Sequence, residues 1–86
     1  MDAPMFDAIT TAIRFVSKRT QTMAITADSI LVEDLGLDSL DLVGVLMKLE
    51  DDFAIKIELD DIPNILTASD LAGHLAKLVG DRAAAA

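Results

Sequence analysis

Cysteine, tryptophan and tyrosine are absent from this 86-residue chain, and its aromatic character rests on three phenylalanines. Without cysteine there is no disulfide and no thiolate metal site, and no redox compartment is implied. With so few rings the core has to be aliphatic, drawn from Leu, Ile, Val, Met and Ala within an apolar fraction of 52%. Such a core is adaptable, because thioethers such as Met47 repack easily. No apolar run approaches the roughly 20 residues that a membrane-spanning helix needs. A secretory leader is not expected either, since Asp2 and Asp7 stand where a basic segment would be and no long apolar run follows. The expected setting is cytoplasmic, without stable membrane insertion.

Positive charge is scarce where negative charge is dense. Between Asp28 and Asp61 there are eleven acids against Lys48 and Lys56, a balance of −9 within a chain whose formal net charge is −8. All the net acidity therefore lies in the middle of the chain, which disfavours nucleic acid. It favours partners with Lys/Arg patches, through steering more than raw affinity. A solvated acidic surface that keeps a small protein in solution is the plainer account of the same charges.

Hydrophobic spacing gives the organisation. Met5, Phe6, Ile9, Ala12, Ile13 and Val16 recur at helical intervals, which predicts a first helix from Pro4 to Lys18. Thr20 to Leu37 is a long connection of the kind that must be pinned or functional. Ile25, Ile30, Leu31 and Leu35 can pin it, with a short turn starting at Asp28. A second helix is predicted from Ser39 to Asp52, with Leu42, Val45, Leu46, Leu49 and Phe53 facing inward. Leu40, Val43 and Met47 form a second stripe beside that face, and for Val43 core and surface placements remain equally open.

Ile55 to Leu59 alternates like a strand but has nothing to pair with, so an extended connector is expected. Asp60 to Ile65 suits a short third helix, brief or partly 3-10, in which Pro63 is tolerated only in the first turn. Thr67, with Asp70 three residues on, opens a last helix through a near capping box. Leu71, Leu75, Leu78 and Val79 supply its buried face, Gly80 is expected to stop it, and Asp81–Ala86 reads as a frayed tail. The expectation is one all-α domain over residues 1–86, a small four-helix bundle with three longer helices, a short third one and a long first loop.

The most informative stretch is Asp34-Leu35-Gly36-Leu37-Asp38-Ser39-Leu40-Asp41. A glycine turn runs into a helix whose N-cap is Asp38, which places Ser39 at the first helical position beside the positive end of the dipole. A helix start can hold a phosphate attached there. In this setting the chain resembles the acyl carrier proteins. The likeness extends from about Ile25 to Val79: Glu33-Asp34-Leu35-Gly36, then Asp38-Ser39-Leu40-Asp41, then Leu42, Val43, Leu46, Met47, Leu49, Glu50, Asp51, Asp52 and Phe53, then Ile55, Ile57, Ile65 and Thr67.

The resemblance implies that Ser39, flanked by Asp38 and Leu40, carries a covalent 4′-phosphopantetheine arm placed there by a phosphopantetheinyl transferase. Acyl groups would ride on the arm as thioesters, and the chain itself would be a carrier and not an enzyme. It further implies that Asp38, Leu40, Asp41, Val43, Met47, Glu50 and Asp51 meet partner enzymes such as ketosynthases, acyltransferases and reductases with basic docking patches. Val45, Leu49, Phe53, Ile57, Ile65 and Leu71 would shelter the acyl chain, although these are core positions in any reading. A monomer serving fatty-acid or related lipid synthesis is the expectation.

Other chemistries fare worse. A hydrolytic serine needs a base within hydrogen-bond reach, and the single histidine, His74, lies on another helix as a partly exposed residue. Gly36-Leu37-Asp38-Ser39-Leu40 also departs from Gly-x-Ser-x-Gly. The carboxylate pairs Asp51-Asp52 and Asp60-Asp61 lack the alternating oxygen ligands and central glycine of a calcium loop, so no defined metal site is expected. Two alternatives stay open: a carrier for aminoacyl or polyketide groups, and a non-carrier acidic adaptor that binds a basic partner through the second helix. Gly44, Lys48 and Pro63 depart from the usual pattern of fatty-acid carriers and suggest a specialised pathway.

Overall fold

The computed structural model describes residues 3–85. Three α-helices carry the fold, α1 (Ala3–Val16), α2 (Ser39–Phe53) and α3 (Ala68–Ala85), with 3-10 segments at Lys18–Thr22 and Leu59–Asn64. No strand occurs among the described residues, only an isolated antiparallel bridge between Ile30 and Thr67. The architecture is all-helical, and the short third element is a 3-10 segment instead of an α-helix. Pro63 lies near its end, not in its first turn. Its missing N–H costs nothing there, because the segment closes through Asp61 N–H to Glu58 O and Ile65 N–H to Ile62 O.

α1 buries Met5, Ile9, Ala12 and Ile13, the i, i+4, i+7, i+8 face of its sequence. It stops at Val16, two residues short of the expected end, because Lys18 starts the first 3-10 segment. Thr20 anchors that segment. Fully buried, it donates its hydroxyl to Ser17 O at 2.6 Å and so keeps its polar atom satisfied.

The long connection is pinned as expected, with additions. Leu31 and Leu35 are buried and Ile25 packs against the core, while Leu37 is a further buried anchor. Each fully buried leucine contributes about 1.5–3 kcal/mol, against a backbone ordering cost of about 1–2 kcal/mol per residue. Hydrogen bonds therefore have to help. Leu31 N–H donates to Leu66 O, Ala68 N–H to Ser29 O and Ser69 N–H to Ala27 O, joining the loop to the start of α3. Ile30 is only partly buried, and it serves through its backbone bridge to Thr67.

α2 turns Leu42, Val45, Leu46 and Leu49 inward, with Phe53 partly buried at its end. It ends at Ala54 in the left-handed conformation, φ 53°, with the Ala54 N–H bonded to Glu50 O. Residues 55–58 then run as an extended connector. α3 buries Ala68, Leu71, Ala72 and Leu75, with Leu78 and Val79 partly covered. The expected stop at Gly80 and tail from Asp81 are corrected: α3 continues to Ala85, and Ala86 lies outside the described residues. Gly80 costs only about 1 kcal/mol inside a helix, and the alanines beyond it are the best helix formers, so one glycine does not end the run.

Candidate functional site

The start of α2 gathers the residues singled out in the sequence. Asp38 is its N-cap, with extended backbone angles. Its carboxylate accepts the Asp41 N–H at 2.8 Å, and the Asp41 carboxylate accepts the Asp38 N–H at 3.4 Å. Two otherwise unpaired donors are thereby satisfied reciprocally, with an aspartate in place of the usual third-position glutamate. Ser39 is the first residue of the helix and is exposed. It stands beside first-turn N–H groups that have no intrahelical partner, at the positive end of the helix.

The approach to this point is held from several sides. Gly36 has φ +68°, a left-handed conformation that side chains other than glycine adopt at a cost. Leu35 and Leu37 on either side are buried, and the Leu37 N–H donates to Leu31 O at 3.2 Å. Asp34 accepts the Ile30 N–H at 2.8 Å and its own N–H returns to Ile30 O. Arg19 crosses from the first 3-10 segment and donates Nη2 to the Gly36 carbonyl at 2.6 Å.

Along α2, Leu40 is 82% exposed, Met47 59% and Val43 38%, so this second stripe faces solvent. Val43 lies on the surface side of the two placements left open. Asp51 is exposed beside the stripe, while Asp41 and Glu50 are partly buried. Glu50 uses one carboxylate oxygen to accept the Ile57 N–H at 2.8 Å. Lys48 does not stand free among the acids: its ammonium lies 2.9 Å from Asp52 and 5.3 Å from the centre of the Phe15 ring. Phe15, on α1, is itself 70% exposed. A Cβ on Gly44 would lie 3.2 Å from Val16 Cγ1, so the absent side chain permits a close approach of α1 and α2.

Of the six positions considered for an acyl chain, Val45, Leu49, Ile57, Ile65 and Leu71 are buried and Phe53 is partly so. They lie in the common core. Two open surface depressions occur elsewhere. One, of about 450 Å³, is lined by Met23, Thr26, Asp28 and Asp34 of the long loop. The other, of about 400 Å³, lies beside Asp61, Asp70 and His74, and Ile65 alone among the six reaches it.

His74 is partly exposed, and its Nε2 lies 3.4 Å from Asp61 Oδ2 without hydrogen-bond alignment. Among the described residues no three His, Asp or Glu side chains converge as metal ligands, and no helix is long and apolar enough to cross a membrane. At the start of α3, Asp70 accepts the N–H groups of both Thr67 and Leu66 at 3.0 Å, and its own N–H donates to the Thr67 hydroxyl. Those backbone bonds, Thr67 first and then Leu66, hold the Asp70 carboxyl below the usual carboxylate range.

Sequence reasoning found Asp38, Ser39 and Asp41 because a helix start is written in consecutive residues. It missed Arg19, Phe15 and the inward use of Glu50. Nothing local to those residues signals partners that lie seven to 33 positions away.

Residues 7–75 match the family model described as a phosphopantetheine attachment site. An acyl carrier protein of Thermotoga maritima is 38% identical over 56 residues, which is 65% of this chain and 69% of the relative. An acyl carrier protein of Syntrophobacter fumaroxidans is 43% identical over 53 residues, 62% of this chain and 65% of that protein. A probable acyl carrier protein of Caulobacter vibrioides is 39% identical over 61 residues, covering 71% and 66% respectively. The matched part thus spans about two-thirds of each relative.

Proposed function

The chain belongs to the phosphopantetheine attachment family of acyl carriers, and from that premise we propose that Ser39 is its attachment residue. The observation that carries this reading is the exposure of Ser39 at the first position of α2, next to the reciprocal Asp38–Asp41 cap. The residues present fit the family's 4′-phosphopantetheine. A serine hydroxyl open to solvent can be reached by a transferase. A phosphodiester on it would stand at a helix start, where unpaired N–H groups and the dipole favour negative charge.

When attached, the arm supplies a thiol that holds acyl groups as thioesters. The chain's own residues hold and present it. Asp38 and Asp41 fix the first turn of α2. Leu40, Val43 and Met47 offer an apolar strip, with Asp51 beside it, to a partner whose surface is basic. Glu50 sits at the edge of that strip and also restrains the following connector. Partners of this description are the phosphopantetheinyl transferase itself and acyl-processing ketosynthases, acyltransferases and reductases.

Val45, Leu49, Phe53, Ile57, Ile65 and Leu71 are our candidates for sheltering an acyl chain. Because most of them are buried, the aliphatic core would have to part to admit one. The departures of Gly44, Lys48 and Pro63 from the usual carrier pattern are our ground for a dedicated set of partner enzymes in fatty-acid or related lipid synthesis. We take residues 1–86 as one carrier domain, acting as a monomer in the cytoplasm.

Intact-protein mass after incubation with coenzyme A, magnesium and a broad-specificity phosphopantetheinyl transferase tests the reading. One phosphopantetheine should appear on the wild type and none on Ser39→Ala. A folded, unmodified wild type that gains nothing would leave an acidic helical adaptor as the better account.

A further inference from the structure

The bond between Arg19 and Gly36 is unusual in what it joins. Its donor sits on a turn fixed by the buried Thr20, whose hydroxyl bonds to Ser17 O at 2.6 Å. Its acceptor is the carbonyl of a left-handed glycine two residues before the N-cap of α2, reached at 2.6 Å across 17 positions of chain. The guanidinium packs so closely that a Cβ on Gly36 would overlap Nη2. Arg19 forms no ion pair among the described residues. It is exposed, so its energetic share in the core is small. Its one defined partner is the turn that leads to Ser39.

We infer that Arg19 is a positioning residue for the modification of Ser39: its bond to the Gly36 carbonyl holds the turn that starts α2 in the arrangement a phosphopantetheinyl transferase accepts. The inference rests on the attachment reading of Ser39. A glycine at positive φ has wide backbone freedom once a partner is removed. Leu35 and Leu37 are held by burial and Asp38 by its cap, so the freed motion is confined to the link between them. Only part of the population then presents Ser39 correctly. The apparent affinity for the transferase falls in proportion to that fraction, while turnover of correctly bound molecules is unchanged.

Charge alone predicts the opposite sign. Removing a cation from an acidic carrier makes it more attractive to a basic enzyme, so a purely electrostatic Arg19 would lower KM when deleted. The two accounts therefore separate in one assay.

The experiment measures kcat and KM for the carrier with coenzyme A and the transferase, well below each variant's Tm. Arg19→Met keeps most of the stem and removes the donor, and its KM should rise about fivefold with kcat unchanged. Arg19→Lys, which can still reach a carbonyl with one donor, should return KM to within about twofold of wild type. Amide relaxation dispersion should show exchange at Gly36 and Ser39 in Arg19→Met and not in the wild type. Arg19→Gln, too short to reach, should behave as Arg19→Met does and serves if that variant fails to fold. A KM that is unchanged or lower overturns the inference, even where Tm falls. A wild type that is never modified, or a Ser39→Ala variant that still is, overturns the attachment reading instead.

Discussion

The Glu50 carboxylate on α2 accepts the Ile57 N–H at 2.8 Å, so a residue at the edge of the exposed strip also holds the connector that leaves the helix. The same turn returns the Ala54 and Ile55 N–H groups to Glu50 O. One residue thus terminates α2 with its carbonyl and fixes the next four residues with its side chain. Ile57, buried beneath, depends on that placement.

Glu50→Ala should therefore lower stability as well as weaken docking. A charge-assisted bond to a partly buried N–H is worth about 1.5–3 kcal/mol, and partial solvent access places this one near the lower end. Glu50→Gln keeps an acceptor of the same length and should recover more than half of the loss. Urea unfolding of both variants checks this, with the expected order wild type, Gln, Ala. Equal midpoints for Ala and wild type would remove the structural role.

The Thr67–Asp70 cap predicts a dependence on pH. Backbone bonds from Thr67 and Leu66 hold the folded Asp70 carboxyl below its ordinary value of 3.8. A carboxyl that is more acidic when folded stabilises the native state above the unfolded value. That contribution is lost as pH falls through the folded value. Relative to Asp70→Asn, the wild type should hold a constant advantage at neutral pH. The advantage should shrink below about pH 4. Denaturant midpoints of the two proteins between pH 7 and pH 3 measure it, and a gap that widens on acidification would refute the assignment.

The sequence announced those elements whose causes are local. Asp38, Ser39 and Asp41 define a helix start within four residues, and Thr67 with Asp70 does so again. The aliphatic stripes of α1, α2 and α3 follow from a 3.6-residue period and are buried as that period requires. Gly80 misled because a breaker competes with the whole run around it, and the alanines of α3 outweighed it. Pro63 pointed to a brief or partly 3-10 element, which is what forms, but the proline lies near its end, where the first-turn rule for α-helices does not govern. Arg19 with Gly36, and Gly44 with Val16, were beyond reach. Each pair joins residues 17 or 28 positions apart, and neither residue type announces a particular partner. The oddities at Gly44 and Lys48, puzzling as departures from the usual carrier pattern, become a contact surface for α1 once the fold is known.

Gly44 offers a test of that contact. Alanine there should gain about 1 kcal/mol of helix propensity. Its Cβ, however, would stand 3.2 and 3.4 Å from the two methyl carbons of Val16, closer than ordinary contact on one side. Val16 is the last residue of α1 and partly buried, so it can yield by a few tenths of an ångström at some cost. Gly44→Ala alone should consequently gain only part of the propensity term. In a Val16→Ala background the obstruction is gone, and the full gain of about 1 kcal/mol should appear. The double-mutant cycle should show a coupling of about 0.5 kcal/mol or more. Gly44→Leu, which cannot be accommodated by so small a shift, should cost about 1–3 kcal/mol by forcing α1 and α2 apart. Denaturant unfolding of the four-member cycle decides the matter: full additivity would mean that Gly44 and Val16 do not touch, and that the glycine serves some purpose other than close packing of the two helices.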